Sequence, residues 1–211
     1  MKKGKRMTLM LSGMLLMFGA AGLTAYNLHE DSLAAVSSSE ILQKLYDERE
    51  QRIRSAEDAI PTGISGEIIE AETLDPNAPM PVIMIDGKAY IGTLSLPAFG
   101  IELPVAADWD YAQMKISPCR YVGSAYSDDL VICAHNYSAH FRSIRDLQAN
   151  EEVIFIDAMG NEFNYQVVKV ETIEPTAIDQ MINSDADLSL FTCNAAGNAR
   201  VTVRCERMEE F

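Results

Sequence analysis

The sequence predicts a mostly β fold, in the form of a small closed or nearly closed barrel of about eight strands with short helices between them. From residue 81 onward, short runs rich in Val, Ile, Leu, Phe and Tyr alternate with turns marked by Gly, Asp and Asn. Eight such runs fall within about 125 residues. A barrel is the architecture that gives this many short strands a shared core and few open edges.

The first half of this region contains four of the predicted strands. "VIMIDGKAYIGTLSL" (82–96) is two apolar runs around Asp86-Gly87, a dipeptide typical of tight β-hairpins. "IELPVA" (101–106) predicts a third strand, and "DWDYAQMK" (108–115) a helical turn. "DDLVICAHN" (128–136) predicts a strand that ends at His135.

The second half contains the other four. "EVIFID" (152–157) and "EFNYQVVKVETI" (162–173) predict a hairpin around "AMGN", and "PTAIDQMI" (175–182) predicts a short helix that follows Pro175. "DLSLFTC" (187–193) and "ARVTVRCERM" (199–208) predict the last two strands.

The first 26 residues differ from the rest in charge. Four of the 17 basic residues lie among the first six positions, whereas all 31 acidic residues lie at Glu30 or later. Met7 to Tyr26 carries no charge, and 20 apolar residues are long enough to cross a bilayer. We therefore expect a single-pass cell-membrane anchor with a cytoplasmic N-terminus and the rest of the chain extracellular. A cleaved signal peptide, with "AAG" or "LTA" as the cleavage site, is the alternative and also exports the chain.

The sequence divides into three predicted parts. Residues 1–26 are the basic tail and the anchor, residues 27–80 are a helical stalk and a linker, and residues 81–211 are the folded domain. "SSSEILQKLYDEREQRIRSAED" (37–58) predicts a helix that starts at a capping box, Ser37 with Glu40. Its apolar stripe is Ile41, Leu45 and Ile53. One interpretation is a stalk that binds a partner. We favour the other interpretation, which is a spacer or a helix packed on the main domain. Residues 59 to 81 contain four prolines and have the composition of a linker.

Charge and cysteine content narrow the function. A net charge of −14 and a pI near 4.5 argue against nucleic-acid binding, which needs a basic surface. The four cysteines are too few for a scaffold held by disulfides. Cys119 and Cys205 either form a disulfide or remain buried free thiols, and the sequence leaves both open.

Three side chains of catalytic type stand at predicted strand ends. Cys193 ends one strand, Arg200 opens the next across a six-residue loop, and His135 ends another strand. Cysteine reacts as its thiolate, and a neighbouring imidazolium and guanidinium would favour that form. Strand alternation places Arg200 and Arg204 on the face opposite Val201, Val203 and Cys205.

The remaining arginine and histidines are weaker candidates. Arg204 lies about 13 Å along the strand from Arg200, so it either lines the same groove or pairs with an acid. His29 lies beside the anchor, and His140 is expected on the surface of a helix or loop. Cys133 and His135 are the only close Cys/His neighbours, so we expect no metal site.

In these stretches the sequence resembles the sortases, the membrane-anchored cysteine transpeptidases of Gram-positive bacteria. "LVICAHN" resembles the strand that leads to the family's catalytic histidine, "LSLFTC" the strand that ends in its nucleophile, and "NARVTVR" the opening of its last strand. The matching positions are His135, Cys193 and Arg200, within a resemblance that covers about residues 90 to 207. "HNYSAHFRSIRDL" most resembles the class B and class D sortases.

The resemblance implies a two-step acyl transfer that needs no cofactor. Cys193 would cleave a surface protein at an LPxTG-like or NPxTN-like C-terminal sorting signal, as a thiol protease does, and transfer the acyl group to an amine of a peptidoglycan precursor or a pilin. His135 would act as acid and base, and Arg200 would bind the substrate or the oxyanion. Thr192, Asn136 and Arg204 are the candidate substrate contacts.

Two other functions stay open at this point. The barrel could be a non-catalytic, membrane-tethered extracellular binding module, although the presence of Cys193, His135 and Arg200 together favours an enzyme. An L,D-transpeptidase would carry an arginine two residues after its cysteine, where this chain has Ala195.

Overall fold

The computed structural model of the protein describes residues 3–59 and 74–208. A long helix comes first, and nine strands, a second helix and three short 3-10 turns follow in the described part. In chain order the helices and strands are α1 (Lys3–Ala59), β1 (Ile83–Ile85), β2 (Lys88–Leu96), β3 (Ile101–Ala106), β4 (Cys119–Val122), β5 (Leu130–Cys133), β6 (Glu152–Asp157), β7 (Glu162–Ile173), α2 (Ile178–Ile182), β8 (Leu188–Cys193) and β9 (Arg200–Arg207).

Eight of these strands close into a barrel, which confirms the predicted fold. They are ordered β2-β3-β4-β5-β8-β9-β7-β6, and β6 pairs back with β2. β1 lies outside the ring as the short arm of the hairpin at Asp86-Gly87. All eight predicted runs form strands, but the prediction included β1 and missed β4, which completes the ring. β4 has the sequence Cys-Arg-Tyr-Val, which is short and contains an arginine, so no apolar run marks it.

The barrel closes at Gly92. This residue of β2 stands opposite Asp157 of β6, where the two backbones approach closely. A Cβ atom at position 92 would lie 2.0 Å from the carbonyl oxygen of Ile156. Closure therefore requires a residue without a side chain at this position.

Residues of β5, β8 and β9 point alternately into the barrel and out of it. Their inward side chains form one apolar cluster with those of the other strands: Leu130, Ile132, Ala134, Leu188, Leu190, Val201, Val203 and Cys205. The outward residues of the same strands include Val131, Cys133 and Phe191. Helices cover parts of this outward face, since Met181 of α2 packs on Val131 and Ile173.

α1 is a single continuous helix. The predicted start at a capping box is wrong, because Ser37 lies in the middle of the helix. Its most apolar stretch, within Met10–Ser55, contains no buried residues. This helix is thus long and apolar enough to cross a membrane, by length and composition.

The second half of α1 packs on the barrel. Ile41 and Leu45 belong to an apolar cluster with Ile83 and Ile85 of the β1–β2 hairpin. This agrees with the interpretation of a helix packed on the main domain. The stripe ends before Ile53, which is 45% exposed. The predicted linker lies for the most part outside the described residues.

His140 is buried between α1 and the barrel, so its predicted surface position is wrong. Its Nε2 lies 3.0 Å from Oγ of Ser38. That hydroxyl donates to the carbonyl oxygen of Ile116, so it accepts a hydrogen bond from the imidazole. Burial lowers the pKa of His140 to about 4. The pattern around His140 could not indicate this, because Ser38 is 102 positions away in the chain.

We expect Leu45→Ala to lower the free energy of unfolding by about 2–5 kcal/mol, because the side chain is fully buried and its loss leaves a cavity. Ile53→Ala, on the same helix but exposed, should change it by less than about 0.5 kcal/mol. Denaturant unfolding of the full chain in detergent measures both. Equal effects of the two substitutions would contradict the packing of α1.

The buried imidazole of His140 should make stability depend on pH. The folded pKa is about 4 and the ordinary value is 6.5, so between these pH values the unfolded chain binds a proton that the folded chain does not. Stability therefore falls as the pH falls from 6.5 to 4, by an amount on the order of 3 kcal/mol. In His140→Gln this component should be absent. If the free energy of unfolding changes equally with pH in the wild type and in His140→Gln across this range, the prediction is refuted.

Candidate active site

Strand pairing places Cys193 beside Arg200. Cys193 is the last residue of β8 and Arg200 the first of β9, and the two stand opposite each other in the antiparallel register. The strand ends predicted at these two positions are confirmed.

The same geometry adds His135. β5 runs parallel to β8, with Cys133 opposite Phe191, so both strands end at the same rim of the barrel. β5 ends two residues before His135, earlier than predicted. The imidazole is therefore carried by the first residues of a loop.

These residues share one groove on the outer face of the barrel. Cys133 and His135, like Phe191 and Cys193, stand two apart, so each pair extends from the outward face of its strand. The groove is open to solvent and has about 850 Å³ of empty space. Its polar lining includes His135, Thr192, Cys193 and Arg200.

The loop between Cys193 and Arg200 is braced by Asn194. The backbone N–H of Asn194 donates to the carbonyl oxygen of Ala199 over 2.9 Å. Its side-chain oxygen accepts from the backbone N–H of Asn198 over 3.0 Å, and Gly197 has a positive φ of 73°. This loop keeps the thiol and the guanidinium on facing strand ends. The pattern N-A-A-G-N indicates such a turn, but sequence reasoning did not identify Asn194.

Thr192 lines the groove but its hydroxyl is already bonded. Its Oγ1 donates to the carbonyl oxygen of Ala134 over 2.8 Å in a buried position. The backbone N–H of Ala134 donates in turn to Phe191. Thr192 thus joins β5 and β8 next to His135 and Cys193.

The structure does not bring Asn136 or Arg204 into the groove. The side-chain oxygen of Asn136 accepts from Nη2 of Arg145 over 2.9 Å. Arg204 is buried and pairs with Glu171 over 3.0 Å, which is the second of the two alternatives predicted for it. Its other donors bond to Gln180, Met181, Ser184 and Ser189.

Arg200 has no such partner. Its Nη1 lies 3.5 Å from the carbonyl oxygen of the adjacent Ala199. Within the described residues, no carboxylate lies within 4.0 Å of its guanidinium. The cation in the groove is therefore available to a bound anion or carbonyl oxygen.

The ionisable groups of the groove are buried to different extents. Burial lowers the pKa of His135, and the positive charge of Lys115 acts in the same direction, whereas the backbone of Tyr111 and the carboxylate of Glu30 oppose both. Burial raises the pKa of Cys133, so its thiol stays protonated. Cys193, in contrast, is only partly buried.

The other cysteines are unlinked. All four are free in the structure, and burial raises the pKa of Cys119 and of Cys205 to about 12 each. Cys119 packs in the cluster under α1, and Cys205 in the core of the barrel. They correspond to the buried-thiol alternative of the sequence analysis.

Apolar walls flank the polar residues, and sequence reasoning missed both. Trp109 contacts Tyr111 and Tyr121 with ring centroids 5.7 Å apart in each pair, and Tyr121 packs edge-on against Phe191 at 5.3 Å. The single Trp of the chain, in "DWDY", was the available indication. Further apolar lining comes from the end of β7, from the segment that follows it and from α2: Ile173, Pro175, Ile178 and Met181.

The arrangement suits covalent catalysis by cysteine. A partly exposed thiol lies in one groove with an imidazole that can transfer protons and a guanidinium that can bind an oxyanion. No group of three or more His, Cys, Asp or Glu residues that could bind a metal is found in the described ranges.

Comparisons with known proteins agree with this geometry. The family model described as "Sortase domain" matches residues 94–208. Streptococcus pneumoniae sortase C is 19% identical over 81% of this chain and 97% of its own, with a TM-score of 0.56. Clostridium perfringens sortase D5 transpeptidase is 14% identical over 84% and 99%, with a TM-score of 0.54.

A third structure, Clostridium perfringens sortase C with the C-terminal cell wall sorting motif, is 22% identical over 57% and 71%, with a TM-score of 0.51. No curated protein sequence matches the chain. At these identities the solved structures support the fold, whereas the family model covers more than half of the sequence. The chain therefore belongs to the sortase family of cysteine transpeptidases.

Proposed function

We propose that this transpeptidase cleaves an LPxTG-like or NPxTN-like sorting signal and joins the cleaved protein to an amine through a thioacyl intermediate on Cys193. One observation carries the proposal: Cys193 and Arg200 stand opposite each other in register, and His135 reaches the same groove from the neighbouring parallel strand.

In the first step the thiolate of Cys193 attacks the carbonyl carbon of the scissile peptide bond. The new C–S bond gives a tetrahedral oxyanion, and the unpaired guanidinium of Arg200 donates hydrogen bonds to it. The C–N bond then breaks, and protonated His135 gives its proton to the leaving amine. The products are a thioester on Cys193, a neutral imidazole and the released C-terminal piece.

In the second step an acceptor amine attacks the thioester. Neutral His135 removes a proton from this amine, a new C–N bond forms and the C–S bond breaks. Cys193 leaves as a thiolate and His135 is again protonated, so the enzyme returns to its starting state. Burial lowers the pKa of His135, which makes its protonated form a stronger acid towards the leaving amine and reduces the fraction of the enzyme that rests as the thiolate–imidazolium pair.

The groove and the anchor support a cell-surface substrate. Aromatic and aliphatic walls fit an extended peptide with apolar side chains. One structural neighbour is described with a C-terminal cell wall sorting motif, which supports the same substrate class here. With basic residues preceding the apolar part of α1, the barrel would lie outside the cell, next to a peptidoglycan precursor or pilin amine.

Cys193→Ala should abolish cleavage of sorting-signal peptides by the full chain in detergent, because no sulfur is left to form the thioester. Incubation with a panel of LPxTG-like and NPxTN-like peptides and an amine acceptor, followed by mass spectrometry, measures cleavage, transfer and the acyl-enzyme. Cys205→Ala, in the barrel core, is the matched control and should cleave normally.

Normal cleavage by Cys193→Ala would show that another residue is the nucleophile. If the wild type cleaves no peptide and Cys193 reacts with an alkylating reagent no faster than a free thiol, the barrel is a binding module.

Arg200→Ala should lower kcat by about 100- to 1000-fold with a smaller effect on KM, because the guanidinium acts on the oxyanion. Arg200→Lys should recover only part of this loss, since an ammonium lacks the planar pair of donors. Arg54→Ala, exposed on α1, serves as the control. An unchanged kcat in Arg200→Ala would contradict the role of the guanidinium in the transition state.

A further inference from the structure

We propose that α1 positions the catalytic histidine, and that Asp31 is the residue through which it does so. This inference rests on the proposed role of His135. It assigns a function in the active site to a segment just after the predicted membrane anchor, more than 100 residues away in sequence.

The carboxylate of Asp31 bonds to the loop that follows His135. Its side chain is 11% exposed. Oδ1 accepts a hydrogen bond from the backbone N–H of Ser138 over 3.3 Å, and Oδ2 accepts one from the Ser138 hydroxyl over 2.8 Å. Oδ2 also forms an ion pair with Nη2 of Arg142 over 3.1 Å. One acidic side chain thus contacts two points of the same loop.

Those two points lead directly to His135. Nε and Nη2 of Arg142 donate to the carbonyl oxygen of Asn136 over 3.4 and 3.3 Å. Asn136 is bonded covalently to His135. The backbone N–H of Phe141 donates to the carbonyl oxygen of His135 over 3.3 Å. Asp31 thus contacts Ser138 and Arg142, and Arg142 in turn bonds to Asn136 at the start of the loop that carries the imidazole.

Neighbouring residues of α1 add to this contact. Oε2 of Glu30 lies 3.1 Å from Nζ of Lys115 and accepts a hydrogen bond from the Tyr137 hydroxyl over 3.5 Å. The ring of Tyr137 packs on the ring of His135 with centroids 5.0 Å apart. The buried residues Asp31, Ala34, Ser38, Ile41 and Leu45 follow one another at intervals of three or four, which is a single face of the helix.

The loop needs such support because no strand ladder holds it. β5 ends at Cys133, so His135 lies beyond the last paired residue. A proton-transfer group must stay within hydrogen-bond reach of the reacting atoms, and a small displacement costs a large factor in rate. The polar contacts of α1 add to the hydrogen bonds that the loop makes within itself.

Activity of the full chain in detergent tests the inference. Asp31→Ala should lower kcat on the order of 10- to 100-fold and leave KM within about twofold. Asp31→Asn should recover part of kcat, because its amide oxygen still accepts from Ser138. Combining Asp31→Ala with Ser138→Ala should cost no more than the larger single effect, since Asp31→Ala already removes the contact with the Ser138 hydroxyl.

Lys44→Ala is the matched control. It removes an ion pair between the same helix and Asp86, at 2.5 Å, on the β1–β2 turn. This variant should keep the wild-type kcat. An equal loss of kcat in Lys44→Ala and Asp31→Ala would indicate general weakening of helix packing and overturn the inference.

Hydrogen exchange measures the same contact without turnover. Backbone amides of residues 135–142 should exchange faster in Asp31→Ala than in the wild type or in Lys44→Ala. Wild-type cleavage together with unchanged kcat and exchange in Asp31→Ala would overturn the inference. If the wild type cleaves no sorting signal but Asp31→Ala still accelerates exchange, the proposed function fails, whereas the contact between Asp31 and the loop is supported.

Discussion

The antiparallel pairing of β8 and β9 is the constraint on which the active site depends. It places a thiol and a guanidinium on opposite residues of two strand ends, where backbone hydrogen bonds fix their separation. The short loop braced by Asn194 maintains this pairing up to its last residues. Because β5 runs parallel to β8, the chain that leaves β5 brings His135 to the same rim.

The closed barrel gives this pairing a rigid support and leaves its outer face free for chemistry. Inward residues of β5, β8 and β9 fill an apolar core, so the outward residues of the same strands are fixed in direction. α1 covers one part of the outer face and α2 another. The groove containing Cys193 lies on this outer face, next to α2.

Some charged residues near the site hold secondary-structure elements together, and others are available for the reaction. The protein is strongly acidic as a whole, yet the arginines near the site divide into two groups. Arg204 and Arg142 form ion pairs with Glu171 and Asp31, and these connect secondary-structure elements. Arg200 keeps its guanidinium unpaired among the described residues. A guanidinium without a carboxylate partner is the one able to stabilise a developing negative charge.

Features that depend on neighbours along the chain could be predicted from the sequence. Alternation of residues and turn chemistry located eight strands and the hairpin at Asp86-Gly87, and a loop of six residues sufficed to pair Cys193 with Arg200. The strand end predicted at "LVICAHN" also identified His135, and the resemblance of three motifs agreed with it. Contacts between distant elements became visible only in the fold: the strand β4, the burial of His140 against Ser38, and the contact of Asp31 with the histidine loop. Local periodicity describes one face of one element, and it carries no information on which element packs against that face, particularly when the partner is more than 100 residues away.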